Sequence, residues 1–499
     1  MTGLLSGAAP AGQFGSVSAE HQHLLLPEAA RPKSMLEVFL LGGMSPWETF
    51  YTAPDIGKPT GGADPSQWWM FQQRGRPTID EWRQTCGYSN RPAIEPYAAD
   101  VDGRTINLGP FVYALRDRPD MLARMRVWVM THELEPHEAA IPLAITGLPR
   151  GNPRSASLGT HIQRHSQVLD GGNRTAPYAY TVYQSSFAID NNGDAASAVG
   201  LHRPSARPLS IQLRPGSTLP AQLKRERTAG VRNQHDALVN FYGQRMRTEF
   251  GTARANGVDD FLFARQGLAQ HQALVDLLPD GILDSELKDI CHTQYAPPFV
   301  KEALADETTT SLNLARHLLT SPENAARYVQ VIEGGVFTDP EGQGYDSHAL
   351  HVEQQAINLN HMASVLSDIV NRPGESAPGK LNLDDQFILL NTEFGRSPTP
   401  EYSIRNPEGY GTDHWPWAYV VVGFGSFVDT ARAGIVGGIG ANSFPVEAIS
   451  PADHRAAMLL AMGIWPFSND AFAIGDFPGA TSEAEAARRL REHVLGYPV

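Results

Sequence analysis

Short apolar runs recur along the chain: Met35 to Leu41 ("MLEVFLL"), Val127 to Met130, Tyr328 to Ile332, Phe387 to Leu390 and Tyr419 to Val422. Runs this short, with little polar alternation, predict strands of a parallel sheet covered on both faces. Other stretches carry apolar residues at i, i+3 and i+4 with charged opposite faces, which predicts amphipathic helices. They are "LKRERTAGVRNQHDALVNFYGQRMRTEF", "VDDFLFARQGLAQHQALVDLL", "TSLNLARHLLTSPENAARYVQVI" and "LHVEQQAINLNHMASVLSDIV". "HEAAIPLAITG" reads as a further helix, stopped by Gly147. Strand, loop and helix alternate. The predicted fold is therefore α/β, a central mostly parallel sheet with helices on both faces.

The same pattern divides the chain. Residues 1–34 lack sustained periodicity and read as a leader, flexible or draped over the surface. Residues 35–480 form the α/β domain, with a helical insertion at about 205–330 in place of further sheet. Residues 55–110, rich in Gly, Pro and Trp, form a long irregular excursion, and 481–499 a C-terminal helix.

Composition narrows the classes. With 41% hydrophobic and 19% charged residues the chain is ordinary globular protein. No apolar run approaches the roughly 18 residues of a membrane span. A net charge of -14 without a Lys/Arg-rich block argues against nucleic-acid binding. The leader has no basic region or apolar core of a secretory signal, so a soluble cytoplasmic or periplasmic protein is expected, and nothing opposes an oligomer. Cys86 and Cys291 are the only cysteines, which removes Cys-rich metal sites; two unpaired buried thiols are expected rather than one bridge. Any metal chemistry must use His and carboxylates.

Those residues collect in loops that follow predicted strands, where α/β sheets place their ligands. Asp346 and His348 stand in "GYDSH", and Asp413 and His414 in "GTDHW". Each pair offers one carboxylate and one imidazole, donors that suit Zn, Mn or Fe. Two such pairs on neighbouring strand ends suit two ions about 4 Å apart; the bland alternative is that Asp and His cap helices and satisfy turns. Glu393 and Arg396 in "TEFGR" read as a further ligand and an anion-binding fork, or as an internal ion pair, which spacing alone favours. His132 and His137 in "THELEPHEAA" are five apart, one at a strand end and one near a helix start, where an anion is favoured. Signatures of serine hydrolases, P-loops and Rossmann folds are absent.

Taken in order, six segments resemble the DUF1501 family, a group within the alkaline phosphatase/sulfatase superfamily. They are "GGMSPWETF" (42–50), "HELEPHEAAIPLAITG" (132–147), "GYDSH" (344–348), "EFGRSP" (393–398), "TDHWP" (412–416) and "DHRAAMLLAMG" (453–463). The resemblance implies an alkaline-phosphatase-like core and a two-metal site, with Asp346 and His348 serving one ion and Asp413 and His414 the other or a bridge. Three departures stand out. Glu48 replaces the usual Asp, Arg455 stands where the family often has His with His454 displaced by one, and the twin-arginine export signal is missing. Sulfatases place a modifiable Cys nine residues before the Thr of "LTG"; here that position is His137, which speaks against formylglycine chemistry. The nucleophile is then His137, Ser45 or water on a metal, or the chemistry is lost.

The expectation is a hydrolase or transferase that uses one or two divalent ions (Zn, Mn or Fe) on a phosphate or sulfate ester, of a small molecule or a carbohydrate. Glu48, Glu393 and His132 are further candidate ligands, and Arg396 the clamp for the ester oxygens. Two rivals remain: a non-catalytic metal-binding or assembly protein that keeps the fold, and an oxidoreductase with iron on His and carboxylates.

Overall fold

Strand β1 (Ser34–Leu40) is buried along its whole length, and its alternation shows how. Leu36, Val38 and Leu40 enter one apolar cluster, whereas Met35 and Phe39 point to the opposite face. The structure is a computed structural model that describes residues 14–54, 56, 78–169, 179–184, 208–213, 229–250, 306–322, 326–336, 344–402 and 407–499.

The other strands follow in chain order. β2 (Glu95–Ala99) and β3 (Thr105–Leu108) form a hairpin outside the main sheet. Next come β4 (Met125–Met130), β5 (Ala179–Tyr183), β6 (Leu209–Gln212), β7 (Tyr328–Glu333) and β8 (Gln386–Asn391). A second hairpin, β9 (Gly395–Glu401) with β10 (Gly411–Trp415), precedes β11 (Tyr419–Gly425) and β12 (Gly434–Val436). The large sheet has eight strands in the order β12-β4-β11-β8-β1-β7-β5-β6. All but β11 run one way; β11 is antiparallel to both β4 and β8.

That reversal corrects the parallel reading of Tyr419 to Val422. A parallel return needs a crossover of a dozen residues or more, usually a helix. Among the described residues between β8 and β11 there is only the β9–β10 hairpin, so the chain comes straight back. The reversal has a useful result. β11 begins at the edge where its parallel neighbours end, so the loops after β1, β4, β7 and β8 meet the loop before β11.

Helices cover both faces: α1 (Ile79–Thr85), α2 (His137–Thr146), α3 (Leu158–Leu169), α5 (Glu307–Thr320), α6 (His351–Ile369), α7 (Pro451–Ala461) and α8 (Glu483–Arg489), whereas the described side chains of α4 (Ala229–Phe250) are mostly exposed. Leu312 and Leu319 of α5, with Leu359 and Ala363 of α6, pack with Leu36 and Val38. On the other face Ile162, Met458, Leu460 and Ala487 join Met35 and Trp128. α2 ends as its sequence directs, at Gly147 with φ +79°, a left-handed value that suits glycine.

Four expectations change. The leader is a docked segment from residue 14 onward: Phe14, Leu24, Leu25 and Leu26 are buried in the second cluster. α1 and the β2–β3 hairpin lie inside the stretch read as irregular. Within 205–330 the main sheet gains β6 and α5 belongs to its helical layer, so the insertion is not a separate helical body at either end; residues 251–305 lie outside the described residues. Cys86 is disulfide-bonded rather than a free thiol, and Cys291 lies outside the described residues.

One charge pair sits inside the core. Arg455 of α7 reaches Glu37 of β1 with two hydrogen bonds, 2.8 and 2.6 Å, and both side chains are essentially inaccessible. Tyr328 and Asn391, from the strands on either side, donate to the same carboxylate at 2.6 and 3.0 Å. Arg455 also donates to the Ala144 carbonyl of α2. Arg455 is thus matched to a carboxylate in the middle of the sheet.

Removing one partner of such a pair strands the other charge in an apolar medium. Arg455→Met is expected to cost about 3–5 kcal/mol of unfolding free energy, measured by urea denaturation. The double variant with Glu37→Gln should recover part of that loss. A single variant as stable as the parent would show that Glu37 needs no counter-charge.

Candidate metal centre

The site is assembled where the strands end. β1 leads into Gly42 and Gly43, β4 into His132, β8 into Glu393, and the loop after β7 carries Asp346 and His348. Hairpin β9–β10 brings Arg396 opposite His414. The loops touch backbone to backbone. A Cβ on Gly42, where φ is +114°, would lie 2.2 Å from the Asp346 nitrogen, and one on Gly411 would lie 1.6 Å from the His348 carbonyl oxygen. Glycine is required at both positions.

Asp346 is the hub. Arg396 donates to its Oδ1 at 2.6 Å, and the Nε2 atoms of His348 and His414 each lie 3.0 Å from the same oxygen. His137 Nε2 approaches Oδ2 at 3.2 Å. The outer nitrogen of each imidazole is already engaged. His137 Nδ1 donates to Glu393 Oε1 at 2.8 Å, His348 Nδ1 to Glu401 Oε2 at 2.7 Å, and His414 Nδ1 to the Glu135 carbonyl at 2.9 Å. These partners only accept, so they fix the protons on Nδ1 and leave Nε2 as the inward atom. Metal-binding histidines are held in this way.

The distance between His348 Nε2 and His414 Nε2 is 3.1 Å. With both Nδ1 atoms protonated, two lone pairs would face each other beside a carboxylate unless a proton on one Nε2 or a cation lies between them. His348, raised against burial by Asp346 and Glu401, is the imidazole disposed to take that proton when no metal is bound. Two nitrogens on one tetrahedral zinc sit about 3.3 Å apart, so the donors fit an ion. The donors form two overlapping triads, His137, Asp346 and His414, and His348, Asp413 and His414, whose ligand atoms lie within 4.8 Å of one another.

Charge is tuned unequally. Burial alone would raise the Asp346 carboxyl, but the Arg396 guanidinium and the three imidazoles hold it well below the usual carboxylate range. Burial disfavours charge on His137, yet Asp346 and Glu393 outweigh it and raise the imidazole to about 10. His348 is raised in the same contest, whereas in His414 burial prevails and lowers it. Phe394, fully buried, stacks on the His414 ring at 4.2 Å and walls the inner side. The outer side is open: the His348 side chain is 32% exposed and that of His137 24%.

The structure brings together Asp346, His348, Asp413, His414 and His137. It moves other expected residues out of the inner group. His132 is buried, with Nε2 on the Glu393 carbonyl at 2.6 Å and Nδ1 accepting from Leu134, so it has no nitrogen for a metal. Glu393 stands behind His137, and the internal ion pair expected of Glu393 and Arg396 forms instead between Arg396 and Asp346. Arg396 is fully buried and also donates to the carbonyls of Gly42 and Thr412, which leaves nothing to clamp an ester. Ser45 is buried as well and donates to Glu48, whose carboxylate faces His351 at 3.4 Å. Neither Ser45 nor Glu48 reaches the open side.

Sequence reading missed Glu401, which orients His348, and Gln355. The Gln355 amide accepts from Ser45 and donates to the carbonyls of Gly43 and Tyr345. The one available signal for Glu401 was hairpin register, since it pairs with Gly411. No apolar alternation marked that hairpin beforehand.

A family described as "Protein of unknown function (DUF1501)" matches residues 32–468, a span that holds every residue of the centre. No curated protein matches the chain.

The raised His137 value gives a testable pH dependence. In metal-free protein its stabilising contribution is complete below the unfolded value near 6.5 and is lost as pH rises through about 10. Proton NMR of EDTA-treated protein should therefore find one histidine still protonated at pH 8, and Glu393→Gln should lower its midpoint. A midpoint at or below 6.5 for His137 would contradict the two-carboxylate environment.

Proposed function

The chain belongs to the DUF1501 family, and from this membership together with the histidine arrangement we propose that it is a metal-dependent hydrolase of phosphate or sulfate esters with an alkaline-phosphatase-like core. The observation that carries the reading is the convergence of Nε2 atoms on Asp346 with every Nδ1 committed to an acceptor. His348 and His414, with Asp346 and Asp413, are the residues that would hold the ion. A bound divalent ion supplies Lewis acidity, polarising the ester oxygen and making water a better nucleophile.

The protein's own groups do the rest. Arg396 holds Asp346 in one orientation and keeps it ionised. Glu401 fixes the His348 ring, and the Glu135 carbonyl fixes that of His414. His137 lies on the other oxygen of Asp346, between two carboxylates that favour its protonated form. From there it is placed to give that proton to the leaving oxygen, worth about 10²–10⁴ in rate. Because Ser45 and Arg396 are buried, water would serve as the nucleophile, and that arginine is not left to clamp the ester oxygens.

That same burial favours one competing reading, a protein that binds metal without turnover. Elemental analysis joined to assays on aryl phosphates and sulfates separates them. Zinc or manganese with ester cleavage supports the hydrolase; metal without cleavage supports the binding protein; iron without cleavage points to oxidoreductase chemistry. Within the hydrolase, His414→Ala and Asp346→Asn should lose the ion. His137→Gln should keep it and lose at least about a hundredfold in kcat. Equal metal loss in all three variants would make His137 a ligand rather than an acid.

A further inference from the structure

Away from the centre, a cavity of about 270 Å³ opens between α5 and the far end of α6. At about 1.5 Å per helical residue, Asp368 lies roughly 25 Å along α6 from His351. Arg316 and Asn313 line the cavity from α5, Asp368 from α6 and Lys380 from the loop beyond, with Val365 and Ile369 as its apolar wall. The charges there are left in an unusual state. Arg316 donates Nη1 to the Gly379 carbonyl, its Nε is buried without an acceptor, and Nη2 has no partner among the described residues. Burial lowers this guanidinium from its ordinary value, and no carboxylate acts against that shift. The side chains of Asn313 and Asp368 are likewise without partners among the described residues. Lys380 differs, because Glu375 neutralises it at 2.9 Å.

One cavity thus holds a cation and an anion that do not meet, Arg316 and Asp368. A ligand with negative charge alone, such as phosphate, would be drawn by Arg316 and repelled by Asp368. An amine would face the reverse. A small zwitterion answers both. We propose that this cavity binds a free amino acid, with its carboxylate on Arg316 and Asn313, its ammonium on Asp368 and its side chain against Val365 and Ile369. A guanidinium fork suits a planar carboxylate, and the short apolar wall suits an aliphatic side chain. Pockets for drug-sized molecules run to about 300–1,000 Å³, so this smaller one matches a ligand of amino-acid size. A residue inside a peptide lacks both charges and would leave Arg316 and Asp368 as they are. None of the ligand candidates of the metal centre lines the cavity, so the proposal stands apart from the ester chemistry.

Calorimetric titration of the full chain with each of the twenty protein amino acids tests this, before and after EDTA treatment. At least one aliphatic amino acid should bind, and equally well in both states. Arg316→Gln and Asp368→Asn should each weaken it roughly tenfold, the effect of losing a charged hydrogen bond. The N-acetyl derivative of that amino acid lacks the ammonium. It should bind the wild type as weakly as the free amino acid binds Asp368→Asn, and the substitution should not weaken it further. Asp368 is exposed, so its variant should melt with the wild type. Should Arg316→Gln melt early through loss of its bond to Gly379, the Asp368→Asn and N-acetyl results decide alone. A panel in which no amino acid binds overturns the proposal, as does equal binding by wild type and Asp368→Asn. Acetate or the N-acetyl derivative binding as tightly as the free amino acid makes the cavity a simple anion site and also overturns it.

Discussion

A carboxylate buried at the edge of a sheet must be matched by positive charge and donors or it will not stay ionised. Asp346 is such a group, and the neighbouring loops are arranged to answer it. Arg396 brings the charge from one hairpin strand, His414 comes from the other, His137 from the start of α2, and His348 from the same loop. Gly42 lets the β1 loop lie directly on the Asp346 backbone, and the Gly42 carbonyl also receives Arg396. The residues that look like second-rank partners, Glu393 and Glu401, are there to hold the histidines at the angle this carboxylate requires.

The molecule solves the same problem twice. Glu37 and Arg455 repeat the arginine–carboxylate pairing at the middle of the sheet, where Tyr328 and Asn391 complete the carboxylate's partners. The Glu37 pair is sealed off, and it fastens α7 and α2 to the central strand. The Asp346 pair lies beside half-open imidazoles. One pairing therefore serves cohesion and the other leaves donors facing outward, and the difference lies in what surrounds the pair.

Much of this was readable beforehand, for particular reasons. The strands at Met35, Val127, Tyr328 and Phe387 were visible because burial on both faces demands apolar runs, and α2 because Gly147 ends it. The aspartates and histidines after those strands were legible because loops at strand ends carry chemistry. What failed to show was direction and depth. Nothing local in Tyr419 to Val422 distinguishes an antiparallel strand from a parallel one; the lack of a helix before it did. His132, Ser45 and Arg396 have the residue types of a site but face inward, and burial is decided by packing between distant segments. Glu401 acts only through the register of a hairpin that has no apolar period. The docked leader was hidden because Phe14 and Leu24 to Leu26 are too few and too scattered for a pattern.

The position of β1 also governs how the molecule is built in time. The partners of Glu37 lie 291 and 354 positions further along, at Tyr328 and Asn391, so the central strand waits unpaired through most of synthesis. Arg491 then donates to the Leu25 carbonyl across 466 positions, tying the last helical turns to the leader. Such long separations carry a high loop-closure entropy and give slow folding, with an apolar strand exposed meanwhile. A ribosome-bound chain that stops short of α8 has its sheet but not its clasp.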